Sequence, residues 1–384
     1  MSLPAIGRRT APMRESGFAM LARRLQGYTG PRYPFHIGDN VLTPPETAEW
    51  GRFDPARLGN PYRYASPNGE EVLRLAVAEK LRHTNGLDVG PDEVLITVGA
   101  THGIACIFQA LLDPGDEVLI LAPHWPLVRG IALCAGVVPV EVPFYQALLD
   151  QPHRDVSELI SPYVTPRTRL LYVISPNNPN GLVLTASQLD ALGAVAERHG
   201  LWLLADEAYE HYAFARPHVS LASRPGLASR TVSAFTFSKS YALAGTRVGY
   251  VAGPTAAIAA MRKVATHSVY NVALSAQVAA LGALETGQAV VLGARERFQH
   301  HARLVAERLG GHAVQGGSFA FVKLSEGGSA MPLLERAADR GVTLAPGDLF
   351  GSGFAAYARL CFTACDTPTL VEGLDVLADV IRSA

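Results

Sequence analysis

Short apolar runs, rich in leucine and β-branched residues, recur between residues 94 and 254, and turn residues bound each of them. Runs of this length without polar alternation are typical of strands in a sheet that is covered on both faces. The pattern therefore predicts buried strands in this part of the chain. They cover residues 94–99, 117–123, 137–143, 169–176, 201–207, 231–238 and 247–254.

Helical patterns lie between several of these runs. One covers residues 101–113, after the first strand, and another covers residues 185–200, after the fourth. In the second pattern Thr185 stands where a helix N-cap is expected, and Gly200 stands where the helix should end. Alternation of strands and helices predicts a doubly wound, mostly parallel α/β domain over roughly residues 46–285.

A smaller domain is expected from the two ends of the chain. Residues 294–311 have the pattern of a long amphipathic helix. Beyond this helix a second, shorter pattern of alternating strands and helices follows. We expect residues 1–45 and 286–384 to form this second α/β domain together.

Composition narrows the possible partners. The chain has 384 residues, is 48% hydrophobic and has a formal net charge of −1. Without a net positive charge, binding to nucleic acid or to an anionic membrane is not expected. Its most apolar region, residues 116–142, is interrupted by proline, histidine and arginine and does not predict a membrane span. Four scattered cysteines predict neither a disulfide scaffold nor a zinc site. We expect a cytoplasmic protein that binds no metal.

Three of the predicted strands end in reactive side chains. Asn178 follows the fourth strand, Asp206 ends the fifth, with Tyr209 three residues later, and Lys239 follows the sixth. Ligands of open α/β sheets bind beyond the carboxyl ends of the strands, so these groups are expected to meet. A lysine, a carboxylate, an asparagine and a phenol can together hold pyridoxal phosphate. The lysine forms an imine with the aldehyde, and the carboxylate keeps the ring nitrogen protonated.

Other residues in the same pattern suit the phosphate and the ring. The turn at Gly99, before a predicted helix, offers backbone amides at a positive helix end. Hydroxyl groups and an arginine near the lysine offer further donors. Trp125 follows the second strand and can stack on a ring. The candidate phosphate ligands are Ala100, Thr101, Thr236, Ser238 and Arg247.

Together these motifs resemble the class I/II aminotransferases of the pyridoxal-phosphate fold type I group. The family's S-x-S-K…R-x-G is matched by "TFSKSYALAGTRVG", with threonine at the first position. Its N-P-x-G is matched by "NPNG" and its D-E-x-Y by "DEAY". The motifs stand in the family's order over most of the chain, from "HIGDN" to "RLCF". The resemblance implies a transferase that moves an amino group between an L-amino acid and a 2-oxo acid.

The resemblance also implies a role for each matched residue at the cofactor ring. Lys239 would form the internal aldimine with the cofactor and would move the α-proton of the substrate. Asp206 would pair with the pyridine nitrogen, and Asn178 and Tyr209 would contact the ring oxygen. Trp125 would stack on the ring, with the neighbouring His124 a less favoured substitute.

Further matches concern the substrate and a second subunit. Arg359 in "YARLCF" matches the family arginine that binds the substrate α-carboxylate, with the Gly38 backbone and Asn178 beside it. Tyr64 matches a tyrosine that reaches the phosphate across a dimer interface, which implies a homodimer with shared active sites. A dicarboxylate substrate would need one more cation, for which the candidates are Arg8, Arg9, Arg32 and Arg129.

Alternatives remain open at this point. Taken singly, Asp206 is explained as a solvated turn, Arg359 as a surface ion pair and Lys239 as a side chain that reaches solvent. Carbon–sulfur lyases, cyclases and amino-acid oxidases of the same fold type need the same lysine, aspartate and arginine. A non-catalytic ligand-binding module of a transcription regulator is disfavoured because residues 1–45 are too short for a DNA-binding domain.

Overall fold

The main sheet follows the predicted strands closely. A computed structural model describes residues 11–13, 23–49, 60 and 62–383. Its first seven strands are β1 (Val94–Thr97), β2 (Glu117–Ala122), β3 (Val138–Pro143), β4 (Thr168–Ile174), β5 (Trp202–Asp206), β6 (Thr231–Thr236) and β7 (Gly249–Ala252).

These seven strands form one sheet in the order β1-β7-β6-β5-β4-β2-β3. Strand β7 runs antiparallel to both of its neighbours, and every other pairing in the sheet is parallel. Strand β1 therefore points the same way as β6. The prediction of a mostly parallel α/β sheet is confirmed. As a result, the carboxyl ends of six strands meet at one edge.

Helices cover the sheet and join its strands. They are α1 (Glu71–Lys80), α2 (Gly99–Leu111), α3 (Pro126–Ala135), α4 (Tyr145–Asp150), α5 (Val156–Ile160), α6 (Ala186–His199), α7 (Thr255–Ser268), α8 (Leu274–Thr286), α9 (Gln288–Leu309), α10 (Met331–Asp339) and α11 (Thr367–Arg382). No helix in the described part of the chain is long and apolar enough to cross a membrane.

The helix predicted over residues 185–200 shows how local signals set its ends. Thr185 Oγ1 accepts from the Gln188 amide at 3.2 Å, and Gln188 Oε1 accepts from the Thr185 amide at 2.9 Å. Gly200 has a φ of +64° at the C-cap, a conformation that glycine adopts without a steric penalty. The predicted N-cap and glycine stop are both present in α6, and Gln188 completes a capping box.

Burial distinguishes the centre of the sheet from its edge. All six residues of β2 are buried, as the continuous apolar pattern predicts. Edge strand β3 instead carries exposed or half-buried side chains at five of its positions and has proline at two of them. Proline lacks an amide donor and is tolerated at a sheet edge, where it also discourages further strand pairing.

A second, smaller sheet is built by the C-terminal part of the chain. Its strands are β8 (Phe319–Lys323), β9 (Ala345–Pro346) and β10 (Tyr357–Cys361), in the antiparallel order β8-β10-β9. The N-terminal segment packs against this region. The Cys361 amide donates to the Phe35 carbonyl oxygen at 2.7 Å, and the side chain of Phe35 is fully buried. This packing fixes the segment that follows, which reaches the edge of the main sheet.

Candidate active site

A cavity of about 600 Å³ lies where the carboxyl ends of the main-sheet strands face the N-terminal segment and the smaller sheet. This is the position at which open α/β sheets bind ligands. The cavity brings together side chains that are far apart in sequence. Of the predicted site residues, it is lined by Gly38, Ala100, Thr101, Trp125, Asn178, Asp206, Tyr209, Thr236, Ser238, Lys239, Arg247 and Arg359.

Asp206 is a buried carboxylate whose neighbours donate hydrogen bonds without supplying a positive charge. It ends β5 and is 4% exposed. The Tyr172 hydroxyl donates to Oδ2 at 2.7 Å, and the Ala208 amide donates to Oδ1 at 3.2 Å. Burial raises the pKa of Asp206 to about 6, against the opposite effect of these two hydrogen bonds. At neutral pH the carboxylate is ionised, although burial destabilises its charged form. A cation that reached it would relieve this destabilisation and so would bind strongly.

Lys239 places its amine in the same cavity. Nζ donates to the Gly38 carbonyl oxygen at 2.5 Å. The Lys239 carbonyl oxygen accepts from Asn40 Nδ2 at 3.1 Å and from the Tyr212 hydroxyl at 3.0 Å, so the backbone is held from two sides. Burial is the main cause that lowers the pKa of Lys239, and nearby Arg359 acts in the same direction. A lowered pKa makes the neutral, nucleophilic amine easier to form.

One end of the cavity is suited to a phosphate. Helix α2 begins there at Gly99, which has a φ of +74°. A Cβ atom at Gly99 would lie 2.7 Å from Arg247 Nη2, so the glycine lets the guanidinium approach the helix start. Thr236 Oγ1 donates to Ser238 Oγ at 2.9 Å, and Arg247 Nη1 lies 3.5 Å from the same Ser238 oxygen. Backbone amides, hydroxyls and a guanidinium therefore converge here, as an anion site requires.

Close packing under this end also needs a small residue in β7. A Cβ atom at Gly249 would lie 2.6 Å from the Phe235 carbonyl oxygen and 2.9 Å from the Ala100 amide nitrogen. Both of these atoms belong to the backbone, which has little freedom to move aside. Gly249 thus allows helix α2 to begin directly above the sheet.

The opposite wall holds a buried guanidinium. Arg359 Nη1 donates to Asn178 Oδ1 and Nη2 to the His36 carbonyl oxygen, both at 3.1 Å. Arg359 Cζ lies 4.1 Å from the centre of the Phe319 ring and 4.9 Å from that of Phe350. Its Nε is buried and has no hydrogen-bond partner among the described residues. The guanidinium is thus fixed in direction and keeps an unused donor that suits a carboxylate.

Tyr209 and Trp125 both line the cavity. The Tyr209 hydroxyl accepts from Asn178 Nδ2 at 3.4 Å, and burial raises the pKa of this phenol. Trp125 is half-buried and lines the cavity, whereas His124 beside it is buried and pairs with the Trp125 carbonyl oxygen and with Glu141. Between the two, Trp125 is therefore the aromatic group available for stacking.

Tyr64 is not among the residues that line this cavity. It is 85% exposed, and its ring contacts Tyr270 at a centroid distance of 5.0 Å. Both tyrosines are therefore exposed at the surface of the chain.

Several residues in the site were not predicted from the sequence. They are Tyr172 beside Asp206, Asn40 and Tyr212 on the Lys239 backbone, and Phe319 and Phe350 against Arg359. Only strand register could have indicated Tyr172, because it lies diagonally from Asp206 on the same face of the sheet. The other contacts depend on tertiary packing that has no local sequence signal.

Of the candidate cations for a second substrate carboxylate, Arg32 and Arg129 do not line the cavity. Arg32 donates to the Leu25 and Tyr28 carbonyl oxygens, and Arg129 lies 3.8 Å from Glu141. Arg8 and Arg9 fall outside the described residues. Within the described ranges, no group of three or more His, Cys, Asp or Glu side chains is arranged to hold a metal ion.

Comparisons with known proteins agree with this geometry. The family described as aminotransferase class I and II matches residues 56–377. A probable aspartate/prephenate aminotransferase of Thermus aquaticus is 38% identical over 352 residues, or 88% of each chain. An arginine–pyruvate transaminase of Pseudomonas aeruginosa is 33% identical over 84% of each chain.

Solved structures share the whole fold. An aspartate aminotransferase double mutant of Thermus thermophilus superposes with a TM-score of 0.90 at 32% identity, covering 98% of this chain and all of the other. An aromatic aminotransferase of Pyrococcus horikoshii gives a TM-score of 0.85 at 29% identity, covering 94% of this chain and 99% of the other. The similarity therefore includes both sheets and the cavity between them.

The burial of Asp206 predicts a measurable pH dependence of stability. Its ordinary pKa of 3.8 is raised to about 6 in the folded protein, a difference that corresponds to about 3 kcal/mol. The destabilisation is absent below pH 4, appears between pH 4 and 6 as the unfolded carboxyl ionises first, and is complete above pH 6. Asp206→Asn should therefore stabilise the cofactor-free protein relative to wild type at pH 7 but not at pH 4, as measured by urea unfolding.

Asp190→Asn is a control that should change the stability at neutral pH in the opposite direction. Arg224 holds the pKa of the Asp190 carboxyl below its ordinary value, so this carboxylate contributes stability at neutral pH that is lost on acidification. If Asp206→Asn changed stability equally at pH 4 and pH 7, the raised pKa of Asp206 would be wrong.

Proposed function

The chain belongs to the class I and II aminotransferase family, and we propose that it transfers amino groups with pyridoxal 5′-phosphate bound in the cavity described above. The substrates are an L-amino acid and a 2-oxo acid. The observation that carries this proposal is the meeting of a buried carboxylate, Asp206, and a lysine of lowered pKa, Lys239, in one cavity with a phosphate cradle at its end.

The residues present suit this cofactor at each of its polar groups. Asp206 is an ionised carboxylate without a buried cation beside it, and it can hold a protonated ring nitrogen. Asn178 and Tyr209 suit the ring oxygen, and Trp125 suits the ring face. For the phosphate, the proposed ligands are the α2 amides at Ala100 and Thr101 with the side chains of Thr236, Ser238 and Arg247.

The bound cofactor supplies an electron sink for the bonds at the substrate α-carbon. The protein supplies the base, the groups that orient the substrate, and the carboxylate charge beside the ring nitrogen. Burial favours a neutral Lys239 Nζ, which would hold the cofactor covalently. Once the substrate amine displaces it from the cofactor, the freed Nζ could take the α-proton and return it as an acid. Arg359 binds the α-carboxylate through a guanidinium that Asn178 and the His36 backbone already fix, so the α C–H bond is directed towards Nζ.

The comparisons support transfer over the other outcomes open to this fold type. The relatives described above are named as aminotransferases or transaminases, and the sequence similarity to them covers most of the chain. Elimination, cyclisation and oxidation would use the same lysine and carboxylate, but none of these relatives is named for them.

We also propose a homodimer in which Tyr64 of each subunit completes the phosphate site of the other. Its exposure, and its absence from the lining of the cavity in its own chain, support this arrangement. Residues 46–285 would form the cofactor-binding domain, and residues 1–45 with 286–384 the smaller one, in line with the packing of Phe35 on the C-terminal sheet. Buried free thiols such as Cys106 suit a cytoplasmic location.

Lys239→Ala should abolish covalent retention of the cofactor and lower the transamination rate by roughly 100- to 10,000-fold, because the base and the attachment point are both lost. Borohydride reduction of the wild type followed by peptide mass spectrometry should locate the cofactor on the peptide that carries Lys239. Lys323→Ala, a change at an exposed lysine paired with Glu326, serves as the control. A cofactor attached to any other lysine would refute the assignment.

Arg359→Lys should lower kcat/KM by about 10- to 100-fold, mainly through a higher KM, because an ammonium cannot reproduce the paired hydrogen bonds of a guanidinium. The matched control is Arg340→Lys, at an exposed arginine near Asp379. Steady-state kinetics with one amino donor over a range of concentrations measures the effect. An unchanged KM for the amino acid would mean that another group binds the α-carboxylate.

Mixed dimers test the shared site. Tyr64→Phe and Lys239→Ala homodimers should both be impaired, and co-expression with two affinity tags isolates the heterodimer. If Tyr64 acts across the interface, the heterodimer contains one complete site and should regain about half of the wild-type activity. If Tyr64 acts within its own subunit, no complete site forms and activity stays at the mutant level. Tyr62→Phe, at a neighbouring tyrosine that is 95% exposed, is the control.

A further inference from the structure

The closest side-chain partner of Asp206 is a tyrosine that no sequence motif indicated. In the parallel pairing of β4 with β5, Tyr172 lies opposite Leu204, and Ile174 lies opposite Asp206. Residues two apart on a strand share a face, so Tyr172 is the diagonal neighbour of Asp206 on that face. A diagonal position of this kind is within reach of an aromatic side chain.

The contact is short and protected from water. The Tyr172 hydroxyl lies 2.7 Å from Asp206 Oδ2, and Tyr172 itself is fully buried. Burial and the neighbouring carboxylate raise the pKa of Tyr172 well above 10, so the phenol keeps its proton and acts as the donor. With the Ala208 amide on Oδ1, each carboxylate oxygen has one donor, and lone pairs remain for the cavity that Asp206 lines.

We infer that Tyr172 is a positioning residue for the proposed cofactor site: its phenol holds Asp206 Oδ2 and keeps the carboxylate ionised and aimed at the ring nitrogen. This inference rests on the proposed function. An ionised Asp206 is what retains a proton on the ring nitrogen, and that proton gives the ring its capacity to accept electrons. Tyr172 is not among the residues that line the cavity, so it would act through Asp206.

The other titratable groups near Asp206 do not replace this donor. On α4, the Tyr145 hydroxyl accepts from the Ile174 amide at 2.8 Å. The Tyr209 hydroxyl is directed to Asn178. Glu207 follows Asp206 in the chain, and its carboxylate is occupied by Ser220, Ser233 and His218. Its negative charge adds to the burial that raises the pKa of Asp206. Within the described ranges, Tyr172 is the side chain that donates to this carboxylate.

Tyr172→Phe tests the inference, and Tyr145→Phe is a matched control. Each change removes one hydroxyl from a fully buried tyrosine, but only the first removes a hydrogen bond to Asp206. In cofactor-free protein labelled with ¹³C at aspartate carboxyls, the Asp206 signal is identified by its loss in Asp206→Asn. Its pKa, about 6 in the wild type, should rise by about one to two units in Tyr172→Phe and stay within a few tenths in Tyr145→Phe.

The same variants are then loaded with pyridoxal 5′-phosphate. The acid limb of the kcat profile should move to higher pH in Tyr172→Phe, and cofactor should dissociate about tenfold faster, while KM for the amino donor changes little. A merely structural role for Tyr172 would lower the stability of Tyr172→Phe and leave its pH profile in place. If Tyr172→Phe does not fold, 3-fluorotyrosine at position 172 can be used in its place. Its more acidic phenol should donate a stronger hydrogen bond and so lower the pKa of Asp206.

Failure of the inference can be told apart from failure of the proposed function. If Asp206→Asn binds cofactor as tightly as the wild type, the proposed cofactor site is wrong. If Asp206→Asn weakens binding but Tyr172→Phe leaves the pKa of Asp206 unchanged, the inference about Tyr172 is overturned and the site stands. A shifted pKa with an unaltered pH profile and cofactor dissociation rate would also overturn the positioning role.

Discussion

The cavity depends on one constraint, which is the burial of the Asp206 carboxylate among groups that carry no positive charge. Its donors are a phenol and a backbone amide, and both stabilise the ionised form without neutralising it. A buried ion that is hydrogen-bonded but unpaired is costly, and the cost falls when a cation arrives. The site thus holds an unmatched negative charge at the end of β5, where a protonated heterocycle can complete the pair.

The rest of the cavity follows from the direction of the strands. The carboxyl ends of the parallel strands lie at one edge of the main sheet. Asp206, Asn178 and Lys239 therefore meet there, although they are far apart in sequence. The smaller sheet then supplies Arg359 from β10. Neither sheet supplies all of the proposed site residues, because Asp206 and Lys239 come from the larger one and Arg359 from the smaller one.

Much of this arrangement was predictable from the sequence, since local signals specify it. Continuous apolar runs indicated all seven strands of the main sheet, and Thr185 and Gly200 indicated the ends of α6. The antiparallel direction of β7 was not predicted, because strand direction depends on pairing rather than on composition. Tyr172 was missed for a related reason, since its partner is set by the register between two strands.

The hydrogen bond from Lys239 Nζ to the Gly38 carbonyl oxygen links the reactive amine to the N-terminal segment. Phe35, three residues before Gly38, is anchored to β10 through the Cys361 amide, so this segment connects both sheets. When the amine bonds to another molecule, the Gly38 carbonyl loses its donor. Asn40 Nδ2 and Thr363 Oγ1 still hold the same segment through the carbonyl oxygens of Lys239 and Asp39, so the freed Gly38 carbonyl oxygen becomes an acceptor for whatever fills the cavity.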